Sequence, residues 1–264
     1  MTTESTILIG RDAGNARELY ERHAARLRRR GATDSVEVAT YDSEPVQELR
    51  EQFGRVSADQ VYAVPMGVAH SHDTVTGIPR ALSYLSGAVT YCEPIGQSPA
   101  VTDVIEAKAA EQLAPGEDCS LILVGFGSSS KPYHRQITEY HATRLREQTD
   151  YGEILGCYLL QNPAVECVRY NLTNPAAVAV PLFLTQTEAT SGRIPSKLEL
   201  DRGGIEYASV LGDHPKITDA LHAEIEKQRT LQSAEGQSDA FEAQLARSQR
   251  PVATDGDGQT DRSQ

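Results

Sequence analysis

The chain repeats itself once, at long range. "ILIG" at 7–10 returns as "ILVG" at 122–125, and "HAARLR" at 23–28 returns as "HATRLR" at 141–146. "VPMGVAHSHDTVTGIPRAL" at 64–82 aligns with "VPLFLTQTEATSGRIPSKL" at 180–198, and "IGQSPAVTDVI" at 95–105 with "LGDHPKITDAL" at 211–221. The offsets are 115, 118, 116 and 116 residues, in one order along the chain. A unit of that length is too long for a solenoid repeat and suits a domain. Whatever one half folds into, the other must fold into as well.

Each unit alternates short β-branched apolar runs with stretches of 3.6-residue periodicity. Runs at 6–10, 35–41, 60–66 and 88–92, then 120–125, 154–160, 177–184 and 206–211, predict eight strands. Leu19, His23 and Leu27 form one helical stripe, and Ile137, His141 and Leu145 its counterpart. This alternation implies an α/β fold of two duplicated half-domains, each a mainly parallel sheet of about four strands with helices on both faces. The half-domains are expected over 1–113 and 119–230. From Leu231 the chain turns polar, so 231–264 is expected to be a largely disordered tail with room for a short helix near 239–247.

Composition narrows the partners. The net charge of −12, from 37 acidic and 25 basic residues, argues against nucleic acid or an anionic membrane surface. No run approaches the roughly 18 consecutive apolar residues of a membrane span, and no signal peptide is visible at Met1. The expectation is a cytoplasmic protein, monomeric or weakly homo-oligomeric. Cys92, Cys119, Cys157 and Cys167 form no C-x-x-C pair and lie in or beside apolar runs, so they read as small core residues.

Three groups of residues could carry chemistry. "LVGFGSSSKPYHRQ" sets Gly125, Gly127 and three serines between a strand and a helix, where amides could hold an anion. It lacks the Gly-Lys-Ser/Thr ending of a Walker loop, and Ser130 stands where G-x-G-x-x-G needs its last glycine. No nucleotide cofactor is expected. His23 and His141, on apolar stripes, read as structural imidazoles, while His214 before Pro215 reads as a cap and His222 as exposed. His70, His72 and Asp73 differ, because they follow directly on strand 60–66, at the strand end where parallel sheets collect ligands. Imidazole and carboxylate suit Co²⁺, Fe²⁺, Ni²⁺ or Zn²⁺. Two histidines one residue apart in a loop can converge on one ion, and imidazole exchanges protons near neutral pH.

These segments resemble the class II metal chelatases of the CbiX/SirB type, which insert cobalt or iron into sirohydrochlorin. The resemblance spans 5–113 and 119–230. It rests on the opening strand with its glycine turn, on the segments 64–79 and 180–195 that end in Ile-Pro, and on "CEPIG" at 92–96. It implies the long, tandem form of the family, with two half-domains facing each other across a cleft. Members of the family place one metal-coordinating histidine in the first turn and another six residues before the Ile-Pro proline. Here the turn position holds Arg11 in the first half and Phe126 in the second, and the six-residue count reaches Asp73, beside His72, and Ala189.

The resemblance therefore implies a metal site of His70, His72 and Asp73, with His72 and His70 catalytic, and a second half poor in ligands. Arg11 stays protonated, so it can neither ligate a metal nor accept the pyrrole protons, but it can pair with a substrate carboxylate. Arg80, Lys131 and Arg193 join it as candidate substrate-holding cations. The implied activity is insertion of Co²⁺ or Fe²⁺, itself a substrate, into sirohydrochlorin for cobalamin or siroheme synthesis. The alternative is a non-catalytic paralogue that binds a tetrapyrrole or metal for delivery, storage or regulation.

Overall fold

Strands Glu4–Arg11 (β1) and Cys119–Gly125 (β5) are buried on both faces, which is why ILIG and ILVG are continuous apolar runs and not alternating ones. The computed structural model describes residues 2–248, with side chains through 234. In the first half β1 is followed by α1 (Ala16–Arg30), β2 (Ser35–Tyr41), α2 (Pro45–Phe53), β3 (Gln60–Pro65), α3 (Ile78–Ala81), β4 (Ala88–Tyr91) and α4 (Pro99–Ala110). In the second, β5 is followed by α5 (Tyr133–Gln148), β6 (Glu153–Tyr158), α6 (Val165–Asn171), β7 (Ala176–Pro181), α7 (Ile194–Lys197), β8 (Ile205–Tyr207) and α8 (Pro215–Ser248).

Two four-stranded sheets result, ordered β2-β1-β3-β4 and β6-β5-β7-β8, with every pairing parallel. ILIG and ILVG occupy equivalent strands, so the duplicated α/β architecture is as the repeat requires. Strands β3 and β4 end one residue before their apolar runs do, and β6, β7 and β8 stop further short, at Tyr158, Pro181 and Tyr207. Leu159, Leu182, Leu184 and Leu211 lie beyond these ends and are buried anyway, so most of the excess hydrophobicity belongs to packed connections, while Leu160 is exposed. The chain does not break at Leu231 either, because α8 continues to Ser248. None of residues 226–234 is buried, so the polar composition there records the loss of a buried face and not the end of a helix. The part of the expected disordered tail from residue 249 onward lies outside the described residues.

The halves share a core. Along β1, Leu8 points into a cluster that also holds Leu121, Leu123, Val178 and Val180 of the second half, whereas Ile7 and Ile9 face a separate cluster with Leu49 and Phe53 of α2. Ile122 and Val124 face a third, with Val165 and Val168 of α6. Helices α1, α4, α5 and α8 all contribute to the shared cluster. The last helix of each half reaches across, so the two halves are built through one another and do not merely abut.

His23 and His141 mark that exchange. His23 Nε2 donates to the Gly212 carbonyl at 2.6 Å, and its Nδ1 accepts from Thr218 Oγ1 at 2.8 Å. In the mirror arrangement Thr102 Oγ1 accepts from Arg144 Nε at 3.2 Å and donates to His141 Nδ1 at 2.9 Å. Both rings are completely buried, and each takes its threonine from the other half. Among the described residues no well-formed hydrogen bond reaches His141 Nε2, although the backbone of Gly96, the counterpart of Gly212, lies close enough to it to favour the protonated ring. The structural reading of both histidines holds.

His214 caps α8, its Nδ1 accepting the Lys216 amide at 3.2 Å, and His222 is half-buried beside Glu226. Of the cysteines, Cys92 and Cys157 are core residues, but Cys119 is only half-buried and Cys167 is exposed on α6. Among the described residues no helix is long and apolar enough to cross a membrane.

Candidate active site

Each sheet's third strand ends in proline, Pro65 or Pro181, and the chain then runs along the sheet's carboxyl edge before a five-residue π-type turn. The turns, Asp73–Gly77 and Ala189–Arg193, are braced alike. Thr74 Oγ1 accepts the Ser71 amide at 2.7 Å, and Thr190 Oγ1 accepts the Thr187 amide at 2.9 Å. Tyr91 donates to the Thr74 carbonyl at 2.7 Å, and Tyr207 to the Thr190 carbonyl at 2.9 Å. Gly96 and Gly212 let these segments seat, since a Cβ there would lie 1.7 Å from the Val68 carbonyl oxygen or 2.0 Å from that of Leu184.

The segments open on one cleft of about 680 Å³. The first half lines it with Arg11, Tyr41, His72 and Asp73, the second with Phe126, His134, Phe183, Glu188 and Arg193. That volume lies within the range of small-molecule sites.

Asp73 sits at its centre of charge. Its Oδ2 accepts from Arg11 at 3.2 Å and from the Tyr41 hydroxyl at 3.3 Å, which leaves Oδ1 without a hydrogen bond among the described residues. Burial, helped by the Asp73 charge, pushes the Tyr41 phenol up, so it stays a donor. His72 is exposed, and no hydrogen bond reaches its ring among the described residues. His134 is partly buried against Phe126, with ring centroids 6.1 Å apart, and burial lowers its pKa.

The expected metal trio is not assembled. His70 lies outside the cleft lining; its Nε2 pairs with Glu93 at 2.7 Å and its Nδ1 with Thr74 Oγ1 at 3.2 Å. The reason is local. A loop would allow residues 70 and 72 to converge, but His72 already has helical backbone angles, φ −57 and ψ −44, and side chains two apart on a helix diverge. Among the described residues, no group of three His, Cys, Asp or Glu could hold a metal ion. Arg11 and Arg193 line the cleft as expected of substrate-holding cations. Arg80 does not: it is exposed on α3, whose Ile78 and Ala81 are buried. Lys131 lines a different groove with Ser128, Ser129, Ser130 and Arg135.

The second half is also richer than its motif positions suggest. Glu188 aligns with His72 at the repeat offset of 116, one residue before the Ala189 reached by counting back from the proline. His134 aligns with Ala16, so comparison of the repeats passes over it. Its only signal in the sequence is its place just after the Gly-Ser turn, at the start of a helix.

The CbiX family model matches residues 6–112 and 120–228, one match to each half. The chain belongs to the CbiX family. It is 24% identical to a probable sirohydrochlorin cobaltochelatase of Halobacterium salinarum, with 83% of this chain and 89% of that protein covered. It is 27% identical to a sirohydrochlorin ferrochelatase of Bacillus subtilis, over 69% of this chain and 73% of that one. Among solved structures, SirB from Bacillus subtilis with Fe³⁺ superposes with a TM-score of 0.72 at 18% identity, covering 89% of this chain and 98% of that one. A multi-domain Deinococcus radiodurans protein with structural similarity to chelatases gives 0.70 at 22% identity, covering 85% of this chain and 55% of that one. At these identities the structural likenesses establish the fold of the CbiX family member described here.

Proposed function

We propose that this CbiX-family protein is a sirohydrochlorin chelatase, a lyase that inserts Co²⁺ or Fe²⁺ into sirohydrochlorin, and that it does so in the cleft between its halves. The observation that carries this is the cleft lining: His72 and Asp73 of one half share one space with His134 and Glu188 of the other. Insertion exchanges two pyrrole protons for a divalent ion, and the macrocycle itself brings four nitrogen ligands. The protein must therefore deliver the ion without keeping it. A closed set of three or four protein ligands would oppose transfer, so a sparse, open pair suits the task better.

His72 and Asp73 Oδ1 are that pair, an imidazole beside a carboxylate oxygen, neither of them hydrogen-bonded among the described residues. Arg11 and Arg193 pair with carboxylates on the ring's periphery, and their charge orients a polyanionic substrate in a chain of net charge −12. The test is absorbance-monitored insertion of Co²⁺, and of Fe²⁺ without oxygen, into sirohydrochlorin. Turnover by wild type, lost in His72→Ala, is the expected result. Binding of sirohydrochlorin with no insertion of either metal would refute the enzymatic reading in favour of a carrier.

A further inference from the structure

His134 enters the cleft from the first turn of α5, away from the strand-end segment that carries His72 and Asp73. Phe126 lies against it and Phe183 packs edge-on against Phe126, so this wall of the cleft is apolar. The His134 carbonyl accepts Thr138 Oγ1 at 2.8 Å, and among the described residues no hydrogen bond falls on either ring nitrogen. Burial there holds the imidazole below the ordinary histidine range, so it is uncharged at neutral pH. The other cleft groups are poorly placed as proton acceptors. Arg11 and Arg193 are already cations, Asp73 is held by Arg11 and Tyr41, and Glu188 is an exposed, solvated carboxylate. His72 cannot take a proton with the lone pair that holds the ion.

We propose that His134 is the catalytic base that takes the pyrrole protons as metal enters the ring. The proposal rests on the chelatase reading above. As each pyrrole N–H bond breaks, its electron pair stays on nitrogen to form the metal–nitrogen bond, and the proton passes to an imidazole nitrogen of His134. The imidazolium then returns that proton to water at the open cleft before the second transfer. Two protons leave, one divalent ion enters, and no oxidant or reductant is needed. The apolar wall keeps the imidazole unprotonated, and so able to accept, at neutral pH, and it speeds discharge of the imidazolium between the two transfers.

The experiment measures Co²⁺ insertion by wild type, His134→Asn and His134→Gln, with Co²⁺ and sirohydrochlorin affinities taken separately at equilibrium. The expected result is a kcat lower by about 10²–10⁴-fold with both affinities unchanged, and partial recovery when imidazole is added to the buffer. The wild-type profile of kcat, which reports the complex with His72 already holding the ion, should keep its acid limb below the ordinary histidine value of 6.5, a readout that needs no variant to fold. Full activity in either variant, or an acid limb above 6.5, overturns the assignment. So does a variant that loses Co²⁺ affinity, since His134 would then be a ligand. A wild type that inserts no metal sinks the chelatase reading, and the base with it. An active wild type with active variants sinks the base alone.

Discussion

Acid should loosen this fold chiefly through two residues, His23 and His141, whose shifts are the largest among the histidines. Burial is the main cause that lowers each imidazole from 6.5 to about 4; Arg22 and Arg26 assist at His23, and Arg144 at His141. The unfolded chain therefore binds these protons more readily than the folded one. Their stabilising contribution is complete above pH 6.5 and is lost as pH falls through the window down to about 4. At pH 5 each histidine should cost about 2 kcal/mol, and the pair about 4 kcal/mol, against a typical domain stability of about 5–15 kcal/mol. Near the middle of the window two protons are taken up on unfolding, a slope of about 2.7 kcal/mol per pH unit.

Urea unfolding followed by far-ultraviolet circular dichroism between pH 4.5 and 7.5 measures that slope, in a chain that has no tryptophan to report by fluorescence. His23→Gln and His141→Gln keep an amide in each site but cannot titrate there. Each variant should be less stable than wild type at pH 7.5, yet lose about 1.4 kcal/mol per pH unit of the slope, the share of one histidine. The two effects should add, because each imidazole bonds its own threonine. Equal slopes in wild type and both variants would show that the histidines do not titrate on unfolding, and the argument from burial would fail.

Co²⁺ titration should separate the two histidines of HSHD: His72→Ala should lose most of the binding, whereas His70→Ala, whose ring is tied to Glu93 and Thr74, should retain it. Arg11→Ala uncovers Asp73, so Co²⁺ should bind up to about fivefold more tightly, the most that a partly exposed ion pair can withhold. Sirohydrochlorin should bind the same variant more weakly; unchanged Co²⁺ affinity in calorimetry would remove Asp73 from the site. Gly96→Ala forces a methyl group onto the Val68 carbonyl, a backbone contact that cannot yield, and should cost about 3 kcal/mol or a fall in Tm of roughly 6–12 °C.

Sheet and repeat were legible in the sequence for one reason: a parallel strand buried on both faces must be apolar throughout, and duplication writes that constraint twice. Partnership across the halves was not. His23 could be recognised as buried, but its threonine lies 195 residues away, and no local pattern encodes that distance. His70 misled because loop geometry was assumed where the chain had already begun to turn helically at His72. Glu188 and His134 escaped for a different reason. Matching one repeat to the other, or to a motif, inspects only positions that the copies share, and these two residues stand where the copies differ. In a duplicated fold the buried scaffold must satisfy the same packing twice, so it stays symmetric, as the paired Thr74 and Thr190 braces do. The cleft is under no such demand, because one substrate lies in it once. Its two walls are free to specialise, with an ion-paired carboxylate and an exposed imidazole on one side and an apolar-walled imidazole on the other. Departures from the repeat are therefore where the chemistry of such a chain should be sought first.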